Sequence, residues 1–208
     1  MAGTVKKRKV KITIKRKVKK PEAKAALVTR KPSIGGAYNL LITFNPNHPS
    51  AAEKEISDVL TRIGEKPKLA ATESEGVLKA KVSSARKVVE RLHKLCGADP
   101  NLFVMTFRYI PIDAWCKADV RQIKLCVKKA AKEIGSGDRW KISIGKRMWK
   151  KMDELALVKE LTEGIEEGEV ELKNPQKTIQ VEITGKEAGV SLLLTGETLN
   201  INSIKSQS

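Results

Sequence analysis

Two spacings of apolar residues alternate along the middle of the chain. At residues 39–44 (NLLITF) a short continuous apolar run reads as a buried strand. Ile56, Val59, Leu60 and Ile63 then recur at helical spacing. Ser50 and Glu53 match the S-x-x-E capping pattern at the helix start, and Gly64 stops it. Residues 69–72 and 76–82 read as strands joined by Glu73-Ser74-Glu75. A second helix follows, capped by Ser83 or Ser84. Its apolar face is Ala85, Val88, Val89, Leu92, Leu95 and Cys96, and Gly97 ends it. Residues 102–109 (LFVMTFRY) predict a fourth strand.

This order, β-α-β-β-α-β, is the ferredoxin-like split motif: four strands with both helices on one face. The second half predicts a helix over 118–134, with Val120, Ile123, Val127, Ala130, Ala131 and Ile134 as its apolar stripe. A strand at 140–144 (WKISI) places Trp140, Ile142 and Ile144 on one face and Lys141 on the other. Gly145-Lys146-Arg147 leaves that strand. The spacing then predicts a helix over 152–164, with Leu155, Val158 and Leu161 inward. Short strands are predicted at 170–172, 178–184 and 189–195, with Asn174-Pro175 as a turn and a fraying tail after Ile204. The fold class is therefore α+β. A basic flexible arm spans residues 1–36, a ferredoxin-like domain 37–113, and a second α/β domain 114–204.

Charge changes this picture by its distribution. The chain carries a formal net charge of +17, an excess that attracts polyanions. Residues 1–34 hold 13 Lys/Arg against one acid, in dense low-complexity runs that predict a solvated arm. Residues 116–152 hold 12 against three, inside periodic secondary structure that gives the charge a shape. The remainder from 153 onward is acidic, with five Lys/Arg against 11 Asp/Glu. No apolar run is long enough to span a bilayer, and the basic N-terminus lacks the apolar stretch of a secretory signal. Cys96, Cys116 and Cys126 lack metal-ligand spacing, and Cys96 and Cys126 sit among apolar residues, which favours core packing over a metal or redox role in a reducing cytoplasm.

The candidate site is Lys141, Lys146, Arg147, Lys150 and Lys151. Expected at a strand end and the following helix start, these residues would converge with free amides on a phosphate. The alternative is a solvated basic face. Trp149, within the cluster, either stacks on an unpaired base or anchors the core. Arg121 and Lys124 extend the basic surface along the helix over 118–134. His48, in a turn, helps geometry, and His93 is expected to be solvated. Neither joins a catalytic set, no phosphate-loop pattern occurs, and no cofactor is expected.

The stretch Trp140-Lys-Ile-Ser-Ile-Gly-Lys-Arg147, with Val170-Glu-Leu-Lys-Asn-Pro175, Ile179-Gln-Val-Glu-Ile183 and Gly189-Val-Ser-Leu192, resembles the THUMP domain. The likeness covers about residues 114–200. Domains of this kind dock tRNA in tRNA-modifying enzymes, usually beside a ferredoxin-like companion. The resemblance implies RNA contacts at Lys141, Lys146, Arg147 and Lys150, while Asn174 and Pro175 shape a turn. No catalytic domain is seen to follow, which is similar to stand-alone adaptors that support N4-acetylcytidine formation. Such an adaptor implies tRNA and a tRNA cytidine acetyltransferase as partners, and no activity of its own. The competing expectation is a general RNA-binding or ribosome-associated protein acting through the arm.

Overall fold

The computed structural model describes residues 38–207. The predicted arm over residues 1–36 lies outside the described residues. Strand β1 (Leu40–Phe44) is followed by α1 (Pro49–Arg62), β2 (Lys68–Ala71), β3 (Val77–Lys81) and α2 (Ala85–Ala98). A single 3-10 turn, Pro100–Leu102, leads into β4 (Thr106–Pro111). The second half runs β5 (Ala114–Lys117), α3 (Val120–Ala131), β6 (Arg139–Arg147), α4 (Glu154–Thr162), β7 (Glu169–Val170), β8 (Lys177–Thr184) and β9 (Glu187–Leu194). It closes with β10 (Leu199–Asn200) and α5 (Ile201–Lys205).

The first sheet has the order β10-β4-β1-β3-β2 and is antiparallel at every pairing. Leu40, Ile42 and Phe44 alternate onto the face covered by α1 and α2, meeting Ile56, Leu60, Val88, Val89 and Leu92. The second sheet has the order β5-β9-β8-β6-β7, with β6 parallel to both β8 and β7. Its core joins Ile123 and Val127 of α3 and Leu157 and Leu161 of α4 to Ile179, Val181 and Ile183. A third cluster uses the opposite faces: Leu41, Val77 and Ile110 of the first sheet meet Leu193 of β9, with Ile112 and Trp115 alongside. Both sheets belong to one compact unit.

The mixed α+β architecture agrees with the sequence reading, and several local expectations do not. Ser50 and Glu53 make no capping box: His48 is the N-cap residue, and Pro49 starts the helix with its fixed φ and absent N–H. Ser84 caps α2 by position without a side-chain hydrogen bond, while Ser83 donates its hydroxyl to Glu65. Gly97 lies inside α2 and does not end it. The strand expected at 102–109 begins only at Thr106, because Pro100 and the Asp99 side chain fold the preceding residues into the 3-10 turn. Glu55 then fixes the strand entry, accepting from the N–H groups of Val104, Met105 and Thr106.

Strand β5 is absent from the sequence reading, and α3 is shorter than 118–134 because Asp119 caps it by accepting from Arg121 and Gln122. The residues between the second sheet and the predicted fraying tail form elements that the sequence reading did not give. Residues 199–205 return to the first sheet, where Leu199 pairs with Tyr109 and is buried with Ile201 among the first core's residues. His93 is not simply solvated: its Nε2 donates to the Thr198 carbonyl at 2.9 Å and helps hold this return. No described helix is long and apolar enough to cross a membrane.

Candidate nucleic-acid interface

Strand β6 extends through Gly145, Lys146 and Arg147, which the sequence reading placed outside it. The cause is register: Gly145, Lys146 and Arg147 pair in parallel with Glu182, Ile183 and Thr184. Alternation then sends Lys146 and Arg147 to opposite faces. Lys146 shares the side of Trp140, Ile142 and Ile144, and its Nζ donates to the Met152 carbonyl at 3.2 Å. Arg147 points to the other side and pairs with Glu182 at 3.2 Å. Glu182 is completely buried, receives Arg108 of β4 at 3.4 Å, and accepts from Gln180 at 2.8 Å. The Lys-Arg pair of the motif therefore does not converge on one phosphate.

The expected helix-start site is also closed. The helix begins at Glu154, not Met152, so Lys150 and Lys151 stand in the loop before it. Asp153 occupies the N-cap and accepts from the amides of Leu155 at 2.9 Å and Ala156 at 3.3 Å. Those amide bonds, with that of Glu154 and a smaller attraction from Lys146, hold the Asp153 carboxyl below the usual aspartate range. An anion there would meet a carboxylate in place of free amides. The same offset turns α4, so that Leu157 and Leu161 are buried while Leu155 is 80% exposed and Val158 only half-buried.

Trp149 adopts the core reading. Its ring is buried and its Nε1 donates to the Ala118 carbonyl at 3.0 Å, so it is not presented for stacking. This placement depends on the preceding residue. Met148 takes a left-handed φ of 54°, a conformation that costs a non-glycine residue roughly 1–2 kcal/mol. The turn ends β6, drives Trp149 inward and leaves the Met148 side chain 71% exposed.

Around that turn lies an open groove of about 620 Å³, lined by Lys117, Ala118, Asp119, Met148, Trp149, Lys150, Lys151 and Lys186, with Glu73 and Gly185 at one side. Lys117 and Lys150 are exposed and form no ion pair among the described residues. Lys151 also reaches the Ala118 carbonyl, at 3.4 Å. Lys186 pairs with Glu73 at 2.6 Å on a highly exposed surface, where such a pair is weakly held. Lys117 and Lys186 were missed by the sequence reading. Lys117 stands at the margin of the basic run and Lys186 far beyond it; the β5–β9 pairing sets Lys117 opposite Glu187, next to Lys186, and both line the groove with Lys150.

The other predicted residues lie apart from the groove or are engaged. Arg121 is exposed on the first turn of α3, next to Asp119. Lys124 bridges Glu160 at 2.8 Å and Glu163 at 2.5 Å, tying α3 to α4. Lys141 sits towards the β7 edge, with its Nζ 3.5 Å from the Leu172 carbonyl. Among the described residues, no group of three or more His, Cys, Asp or Glu side chains is arranged to hold a metal ion.

Residues 117–193 match the THUMP domain family. No curated protein matches the chain in sequence. Among solved structures, PH1313 from Pyrococcus horikoshii Ot3 is similar with a TM-score of 0.54 and 17% identity, over 78% of this chain and 55% of that one. TrmN from Thermus thermophilus gives 0.48 and 14%, over 75% and 45% of the two chains. A 4-thiouridine synthetase in complex with RNA and ATP gives 0.46 and 14%, over 78% and 42%. The chain thus spans about half the length of these structures. The first likeness concerns the fold. The matched segment, its parallel β6–β8 pairing and the motif residues that build it lead to one assignment: residues 117–193 are a THUMP domain.

Proposed function

We propose that this protein binds tRNA and presents it to a separate modifying enzyme, without performing chemistry itself. The observation that carries the reading is the basic groove on the THUMP domain, where Lys117, Lys150, Lys151 and Lys186 gather around an exposed Met148. Ammonium groups on short, structured turns suit phosphate contact, and the wide opening suits a polymer better than a small metabolite. Arg121 extends the surface along α3, and Lys141 and Lys146 supply weaker, more distant charge. The motif resemblance favours N4-acetylcytidine formation as the modification and a tRNA cytidine acetyltransferase as the partner.

The test is tRNA binding by the full chain carrying Lys117→Glu, Lys150→Glu and Lys151→Glu together. Affinity is expected to drop, and the salt dependence to flatten by roughly one slope unit per lost phosphate contact. Unchanged binding by a folded variant rejects the groove. Loss of all binding on deleting residues 1–36, with no preference for tRNA over random RNA, supports the arm-driven alternative. Acetylation of tRNA by the acetyltransferase only when this chain is added supports the adaptor role; modification by the chain alone overturns it.

A further inference from the structure

Strand β6 is the last long strand on its side of the second sheet, and most of its outer side is bare. Strand β7 pairs with it only at Arg139 and Trp140. The Trp140 carbonyl faces outward and accepts from the Glu171 N–H at 2.8 Å. The Arg147 carbonyl faces inward and accepts from the Gly185 N–H at 3.1 Å. Backbone groups alternate along a strand, so the N–H and C=O groups of Ile142, Ile144 and Lys146 face outward like those of Trp140. They meet no ladder partner among the described residues. Residues 141–147 are accordingly half-buried, whereas Ile179, Val181 and Ile183 of the adjoining β8 are fully buried.

The two faces beside this edge differ in chemistry. On the helix side stand Ile142 and Ile144, packed only in part against the core. Helix α3 lies over β8 and β9 and α4 over β6, so the flank of α4 turned from α3 is the one nearest the open edge. That flank carries Leu155, 80% exposed, and the half-buried Val158. On the other side stand Lys141 and Arg147. The whole strand holds Arg139, Lys141, Lys146 and Arg147 and no acidic residue. A second copy added edge to edge would set cations against cations, which is unfavourable between paired strands. An extended segment with apolar residues on one face and carboxylates on the other suits both sides and satisfies the free backbone groups.

We propose that the outer edge of β6 is a docking site for an acidic, strand-forming segment of a protein partner, which joins the second sheet beside Ile142 and Ile144. Its main-chain hydrogen bonds supply attachment. Its carboxylates meet Lys141, and its apolar residues cover the two isoleucines and the Leu155 flank of α4. Ile142 and Ile144 do not line the groove around Met148, so this site stands whether or not that groove holds RNA.

The probe is a capped synthetic peptide of alternating glutamate and valine, added to the full chain and followed by amide hydrogen exchange. At roughly ten times its dissociation constant, the peptide should slow exchange at Ile142, Ile144 and Lys146 about tenfold. The same peptide with N-methylated backbone amides should lose binding, as should an alternating lysine–valine peptide. Lys141→Glu should narrow or reverse the preference for the glutamate peptide. Ile144→Pro should fold, because an edge strand tolerates proline where the N–H has no partner, and should lose the peptide. If that variant does not fold, exchange in the wild-type chain decides. No slowing at these amides, or equal binding of the N-methylated or the lysine peptide, overturns the proposal. Protection that grows with protein concentration alone overturns it in favour of a second copy. Protection by tRNA without peptide overturns it in favour of an RNA contact.

Discussion

Gly145 of β6 stands directly across the parallel ladder from Glu182 of β8, and a methyl group on Gly145 would lie 2.8 Å from Glu182 Cδ. The glycine leaves the space that the buried carboxylate needs to meet Arg147 and Arg108. Adding the methyl pushes that carboxylate off its partners. Gly145→Ala is therefore expected to lower stability by about 1–3 kcal/mol, the usual cost of overpacking. Glu182→Gln leaves two guanidinium groups without their counter-charge, where breaking a buried pair typically costs about 3–5 kcal/mol. Both guanidiniums are about one-third exposed, so the lower end is expected. Urea denaturation of each variant checks both values.

Leu155 and Leu157 should behave as opposites. Leu157 of α4 is fully buried, and Leu157→Ala should cost about 2–5 kcal/mol. Leu155→Ala removes an exposed side chain and should stay within about 0.5 kcal/mol of the wild type. A large loss at Leu155 with little at Leu157 in thermal denaturation would show that α4 sits in the rotation expected from sequence.

Asp153 gives a pH-dependent helix start. Its carboxyl is depressed in the folded chain, so its contribution is present above the ordinary aspartate value of about 3.9 and is lost as pH falls through the lowered value. Asp153→Asn should therefore show faster hydrogen exchange at the Leu155 and Ala156 amides near neutral pH. The difference from wild type should shrink in strong acid. A gap that persists when the aspartate is protonated would rule out the charged cap as its source.

Trp149 and Lys150 are neighbours with separable roles. Trp149→Phe loses the indole bond to Ala118 and should lower stability by about 1 kcal/mol. Lys150→Glu should leave the melting temperature nearly unchanged and weaken tRNA binding at low salt more than at high salt. Parallel melting and binding curves separate the two. A Trp149→Phe chain with full stability and lost binding would return the indole to the RNA surface.

The elements that the sequence shows well are those governed by local pattern: β1, α1, α2, α3 and the β8–β9 pair all announce themselves by the spacing of their apolar residues. What it hides is set by distant partners. The length of β6 depends on register with β8, about 35 residues on, and nothing local marks Gly145 to Arg147 as strand. The rotation of α4 turned on Asp153, a two-residue shift of the cap that exchanges Leu157 for Leu155 in the core. Charge density singled out residues 116–152, and several of them line the groove. It could not tell that Arg147 and Lys124 are held by carboxylates, or that Lys186 would come alongside Lys150.

The return of residues 199–205 to β4 also bears on how the chain acquires its shape. Leu199 and Ile201 are made well after the other strands of the first sheet, yet they fill its core. During synthesis that sheet waits with β4 as an open edge, until some 90 further residues have been made. A fragment cut after Ile112 would keep that edge exposed and lack two core side chains, so it should associate edge to edge where the full chain stays closed. Boundaries for expression or fusion are better drawn around the spatial unit than at the junction between its two sheets.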